Sequence, residues 1–300
     1  MSAVLALVPP AEVAEARPSA NSAQYELAFA LCDPGYTQTP GLFRSVARGT
    51  SRQERLHVKY TRGETTYVLK GDELLGAVDA RVSAVLVGYA ALAGSLISVG
   101  SDYTANTANG NLRDTRVVTN LSISAVAREA GYKTSGGGSR LAVFDSVMRL
   151  GATTVQEFVG GRARSTPMSL LWMTFTEAPK VDDRRMDIVL NPWLVSAILG
   201  GPFSRISLRE MRTSPSDSAT LLIWRLSGIL RPGTSREIRE ETLLGYVHGV
   251  DATGAYVPAT GGEAERKRRQ RLKLALAETS WKISAQTKGL YTICRPALRD

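Results

Sequence analysis

The residue types that most metal and nucleophilic chemistry needs are scarce in this chain. Its 300 residues include two histidines, His57 and His248, and two cysteines, Cys32 and Cys294. The cysteines lie near opposite ends and have no metal-ligand spacing. So few thiols, without an export signal, point to a reducing cytoplasm. His57 falls on the polar face of a predicted hairpin and His248 at a helix end, so neither has a metal or triad partner by spacing. No carboxylate cluster marks a two-metal site. The Gly-rich KTSGGGSR (133–140) departs from the phosphate-cradling G-x-x-x-x-G-K-[ST] loop and reads as a turn between helices. The expectation is therefore no catalytic residue, no metal and no cofactor: the chain is not an enzyme.

Long hydrophobic runs are missing too. VSAVLVGYAALAG (82–94), the most apolar stretch, is shorter than the ~18 residues that mark a membrane span, and reads as a buried helix. MSAVLALV at the N-terminus has no basic flank and too short an apolar run for a signal peptide. No membrane association is expected.

Negative charge is also in deficit. Lys plus Arg number 37 against 28 Asp plus Glu, a net charge of +9. That imbalance favours nucleic acid or an acidic surface as partner. It is concentrated in GEAERKRRQRLKLAL (262–276), where Leu272, Ala275, Leu276 and Thr279 share one face of a predicted helix. Arg266, Lys267, Gln270, Lys273 and Leu274 project opposite, with Arg268, Arg269 and Arg271 on the flanks. Thr260 and Glu263 fit a capping box. The sign is nearly uniform after Glu265, without the i,i+4 pairing of an ordinary solvated helix. The apolar edge is too small to serve a lipid surface as well as a core. The pattern predicts that the leucines pack on the domain and the cations enter a major groove.

At this length the chain has room for two modest domains. Residues 1–39 read as a mostly disordered leader with a short helix at 23–31. The expected N-terminal domain (40–189) has a hairpin at 54–70 and a helix from Asp72 to Ala93. A strand follows at 115–122, then a helix capped by Ser122 and ended at Gly131. A second helix from Ser139 is expected to bury Leu141, Phe144 and Met148. Strands at 153–158 and 168–175 would flank a basic loop. The expected C-terminal domain (190–300) has helices at 191–201, 216–230, 239–249 and the basic segment, then two strands joined by Gln286–Gly289. Helix, turn, helix and a strand pair, twice, make the fold class α+β with two tandem winged-helix (helix-turn-helix) domains. Arg140 on the first domain's second helix, Arg162 and Arg164 in its wing, and Lys282 and Lys288 in the second wing are further candidate DNA contacts. The helix at 72–93 and the apolar element at 191–201 are candidate homodimer surfaces.

Several segments occur in one order: TPGLFRSVARG (39–49), ELLGAVDARV with YAALAG (73–94), LNPWLVSAILGG with RISLREM (190–211), ETLLGYVHG (241–249), RKRRQRLKLAL (266–276) and CRP (294–296). Together they resemble replication protein C of IncQ-type plasmids, over roughly residues 39–296. The resemblance implies a two-winged-helix initiator of plasmid replication that binds direct repeats (iterons) in double-stranded origin DNA. It also implies opening of an adjacent AT-rich region, on which a plasmid-encoded helicase and primase act, with no catalysis by the initiator itself. Arg266, Lys267, Arg268, Arg269, Gln270 and Arg271 match the family's basic run and carry over as DNA contacts. The longer Ala-rich leader and the extended loop at 250–262 depart from the pattern. A winged-helix repressor without origin-opening activity is the alternative, and a DNA-processing enzyme a weaker one.

Overall fold

The computed structural model describes residues 27–46, 54–99, 113–132, 137–176, 184–251, 253–287 and 289–297. Residues 27–39, expected within the leader, are packed against the core. Strand β1 (Phe29–Cys32) stands where a helix was expected. It pairs antiparallel with residues 204–207, and Ala30 and Cys32 face the core. Helix α1 (Pro34–Gln38) has Pro34 in its first turn, and the Asp33 carboxylate accepts the Gly35 N–H at 2.7 Å.

The hairpin read from the alternation is present as β2 (Leu56–Arg62) and β3 (Thr65–Gly71), turned at Gly63 with φ +59°. Helix α2 (Ala77–Ala93) begins later than Asp72, because the Gly76 N–H donates to the Asp79 carboxylate at 2.7 Å and fixes the start there. Its buried residues, from Ala77 to Ala90, fall on all sides, as expected for a helix surrounded by protein. Next come β4 (Ser95–Val99), β5 (Arg113–Ser122) and α3 (Ile123–Glu129). The Ser122 hydroxyl caps α3 by accepting the Ala125 N–H at 3.1 Å, and Gly131 ends the turn at φ +86°, both as expected.

Helix α4 (Gly137–Ala152) is rotated relative to the expected face. Val143, Ser146, Val147 and Leu150 are buried, whereas Leu141 and Met148 are 50% and 46% exposed. The helix carries two apolar stripes, and the one that includes small Ser146 fits against α2, where Arg149 pairs with buried Asp79 at 3.0 Å. Strand β6 (Thr154–Val159) then makes a tight hairpin through Gly160 and Gly161, both at positive φ, into β7 (Arg162–Ala163). After β8 (Met168–Ser169), β9 (Leu171–Phe175) and β10 (Arg185–Leu190) complete this half. The strands expected at 153–158 and 168–175 therefore do not form one wing. β6 joins the hairpin in a sheet ordered β2-β3-β6-β7 with β8 on β6, and β9 joins a sheet ordered β4-β5-β10-β9.

The remaining elements are α5 (Pro192–Val195), β11 (Ser204–Ser207), α6 (Leu208–Thr213) and α7 (Asp217–Ile229). Then follow β12 (Ser235–Arg239), α8 (Glu240–His248), α9 (Gly262–Glu278), β13 (Lys282–Thr287) and β14 (Leu290–Cys294). Pro192 starts a single turn rather than the helix expected to 201, and Leu222, Trp224 and Leu226 of α7 are buried as read. The fold is α+β with antiparallel sheets.

One order of elements occurs twice: α2, β5, α3, α4, β9, β10 and α7, β12, α8, α9, β13, β14. In both, the three strands lie in the order first, third, second: β5-β10-β9 and β12-β14-β13. β4 and β6–β8 are additions in the first copy. The two copies share a core, since α7 packs against α2 on one side and α9 on the other. Tyr36 of α1 wedges between them, edge-on to Trp193 and Trp224 with centroids 5.4 and 5.5 Å away.

Candidate nucleic-acid interface

Helix α9 seats three side chains, Leu272, Ala275 and Leu276, against α7 and α8. This is the apolar edge the sequence marks. Thr279 serves as the C-cap, its hydroxyl donating to the Leu276 carbonyl at 2.9 Å. The expected capping box is absent. Gly261, at φ +97°, occupies the N-cap with no side-chain bond, and the Glu263 carboxylate turns forward along the helix instead.

The cations of α9 divide by what holds them. Arg269 lies between Glu240 of α8, at 2.7 Å, and Glu265, at 3.1 Å, with Glu241 at 3.9 Å. Burial, which would lower its basicity, is outweighed by Glu240 and Glu265, and its pKa is raised. This residue is a strut between helices. Arg268 donates to the Val257 carbonyl at 3.0 Å and to the Tyr256 hydroxyl at 3.2 Å, so it pins the preceding loop. Tyr256 in turn donates to Glu265 at 2.8 Å, and the Ala259 N–H donates to the same carboxylate oxygen. Glu240, Tyr256 and Glu265 were not among the residues singled out from sequence. Their role follows from loop and helix meeting in space, which no local pattern encodes.

Arg266 donates Nε and Nη2 to the two oxygens of Glu263 at 2.9 and 3.0 Å, and Lys267 Nζ is 3.5 Å from the same group. The reading that i,i+4 pairing is absent is thus corrected: Lys267–Glu263 and Arg269–Glu265 are such pairs. Both place the acid four residues before the base, the favourable orientation. These contacts differ in kind from the Arg269 clamp. The Arg266 and Glu263 side chains are 71% and 59% exposed, where water screens an ion pair and lets it exchange readily. Gln270, Arg271 and Lys273 are exposed and make no hydrogen bond or ion pair among the described residues. Arg266, Lys267, Gln270 and Lys273 form an outward ridge with Arg271 beside it. From Arg266 to Lys273 the ridge is roughly 10 Å long at 1.5 Å per residue, and a major groove is about 12 Å wide.

A family-wide comparison matches residues 24–297 to Replication protein C (RepC). The chain belongs to the RepC family. That makes it a replication initiator and implies that it binds DNA. No curated protein matches. Among solved structures, the fold is similar to a crystal structure of domain 2 and domain 3 of RctB. That match has a TM-score of 0.51 and 13% identity, and covers 89% of this chain and 99% of the other. A second crystal structure of RctB domains 2–3 has a TM-score of 0.47 and 11% identity, covering 88% and 97%.

The other residues picked from sequence are scattered. In this RepC-family chain α4 occupies the place in the first copy that α9 has in the second. Its outward positions, Leu141 and Met148, are apolar rather than basic, and Arg140 is half-buried. Val143 and Ser146 of the same helix are buried. Arg162 is exposed at the Gly160–Gly161 hairpin, while Arg164 lies 3.5 Å from Glu157. The Gly160 N–H donates to the Glu64 carbonyl at 3.3 Å, which brings Arg62 to the same end of the sheet as Arg162. The Arg62-Gly63 turn was visible in the sequence, but its neighbour was not. Lys282 is exposed at the start of β13, and Lys288 lies outside the described residues.

His248, at the end of α8, lines a cleft with Arg268, Arg271, Ser216 and Glu278. Its Nε2 is buried without a hydrogen-bond partner among the described residues. Burial, with Arg268 and Arg271 nearby, pushes its pKa down to about 4, so the ring is neutral beside the cations. Among the described residues no helix is long and apolar enough to cross a membrane.

Proposed function

We propose that this chain is a sequence-specific initiator of plasmid replication, of the IncQ type its sequence resembles. It binds direct repeats in double-stranded origin DNA through α9. The observation that carries this reading is the split character of α9: Leu272, Ala275 and Leu276 hold it to the domain, while Gln270, Arg271 and Lys273 are free on the surface. The repeated order of helix, strand, two helices and two strands supports two tandem winged-helix units, with α9 the reading helix of the second. Arg266, Lys267, Gln270, Arg271 and Lys273 make the contacts, and Arg268 and Arg269 position the helix. Arg162, with Arg62 beside it, reaches phosphate from the first unit, as Lys282 does from the second.

Binding deforms an adjacent AT-rich segment, whose flexible steps cost less to distort. A plasmid-encoded helicase and primase then act on the opened strands. This reading assigns the chain no catalytic step and no cofactor, and places its work in the bacterial cytoplasm, where it acts as a homodimer or a monomer. Supercoiled origin DNA probed for unpaired thymines tests it. Protein-dependent reactivity next to a protected repeat is expected. Protection without reactivity would instead favour a repressor of the same fold.

A further inference from the structure

The two acids in the first turn of α9 have different occupations. Glu265 is turned inward, where it accepts from the Tyr256 hydroxyl and the Ala259 N–H and holds Arg269. It has structural work. Glu263 is exposed, and among the described residues its only partners are Arg266 and Lys267 of its own helix. A helix-end carboxylate gains a little from the macrodipole and from such pairs. On a ridge that approaches phosphates, the same carboxylate is repelled. A donor on the DNA would turn that repulsion into a contact.

From this geometry we infer that Glu263 reads a base. A reading helix points its N-terminal residues at base edges, and Glu263 is the second residue of α9. In the major groove the cytosine N4 amino group is the donor suited to a carboxylate, and a guanidinium fork suits guanine O6 and N7. Glu263 and Arg266 are three residues apart and therefore lie on one face. Their paired bonds at 2.9 and 3.0 Å set the Arg266 fork beside the Glu263 carboxylate, and because both side chains are exposed the pair can part to meet two bases. On the DNA, Arg266 takes a guanine and Glu263 a neighbouring cytosine. The pair selects a G/C step within each binding site and sets a penalty on every other sequence, where the carboxylate has no donor and faces only phosphate charge.

This inference rests on the proposed DNA-binding role of α9, and the test separates the two. Full-length protein is used to select sites from a random-sequence duplex library, as wild type, as Glu263→Gln and as Arg271→Ala/Lys273→Ala. The unselected library serves as the non-specific probe in anisotropy titrations. Glu263→Gln should lose the preference for cytosine at one position by roughly tenfold, on the scale of one good base contact. The other positions should be kept, and the unselected library should bind more tightly. Recovery of the wild-type site at every position by Glu263→Gln would overturn the base-reading role while leaving α9 as the reader. If the double variant also selected the wild-type site with unchanged affinity, α9 would not be the reader and both readings would fall. Circular dichroism of each variant checks that α9 is intact, and a change in thermal stability with no change in the selected site counts against the proposal.

Discussion

Single residues on α9 are separated by their partners, and each class has its own expected signature. Arg271 and Lys273 are free, so replacing either with Ala should weaken all duplexes alike and reduce the salt slope by about 1 per lost phosphate contact. Replacing Gln270 with Ala should instead relax preference at one position, costing about 1–3 kcal/mol on the preferred site. Arg269→Ala should behave differently again. It removes the strut between Glu240 and Glu265, and should lower stability by roughly 1 kcal/mol once solvent screening of a one-third exposed pair is allowed for, without changing which sequence is bound. His248 supplies a pH signature. Its folded pKa, about 4, lies below the ordinary 6.5, so below 6.5 the unfolded chain takes up a proton that the folded chain refuses. This contribution to stability is complete above pH 6.5 and is lost as pH falls towards 4. Melting curves of the wild type should drop across that window more than those of His248→Gln; parallel curves would contradict the burial argument.

At the scale of elements, α9 is coupled to the core by its buried leucine. Leu272→Ala should cost about 2–5 kcal/mol and weaken DNA binding without touching a single charge, measurable as a lower melting temperature together with weaker binding to every duplex. This element was legible beforehand, because Leu272, Ala275 and Leu276 stand out against an otherwise charged run. Helix α4 was not. Leu141, Phe144 and Met148 fit a helical stripe as well as Val143, Val147 and Leu150 do, and only the fit of Ser146 and Arg149 against Asp79 of α2 decides between them. The capping box failed for a related reason: Glu263 found a nearer partner in Arg266 than in a backbone N–H. β10 was not among the expected elements, although Met186, Ile188 and Leu190 alternate. Nor was β1, since its existence depends on a partner at Ser204–Ser207.

Across the whole molecule, the duplicated order suggests two separable units, yet the packing ties them together. Arg81 of α2 donates to the Thr220 hydroxyl of α7 at 2.6 Å and to the Ser214 carbonyl at 3.0 Å, Arg212 of α6 donates to Glu129 of α3 at 2.9 Å, and Arg225 of α7 donates to the Thr37 carbonyl of α1 at 2.9 Å. Burial pulls the Arg225 pKa down to about 10, a cost that Tyr246 and Tyr60 partly offset. Such a joint should make calorimetric unfolding a single cooperative transition, whereas two well-resolved transitions would show that the halves fold independently. The joint also fixes where α9 stands relative to the exposed Arg62 and Arg162 of the first copy, so under the proposed reading a duplex that met both would have limited freedom. The central claim remains the docking of α9. Footprinting of full-length protein and of Arg271→Ala/Lys273→Ala on plasmid origin DNA tests it most directly. The account predicts regularly repeated protection by the wild type and its loss, at equal concentration and unchanged fold, in the variant. Identical footprints from the two proteins would contradict it.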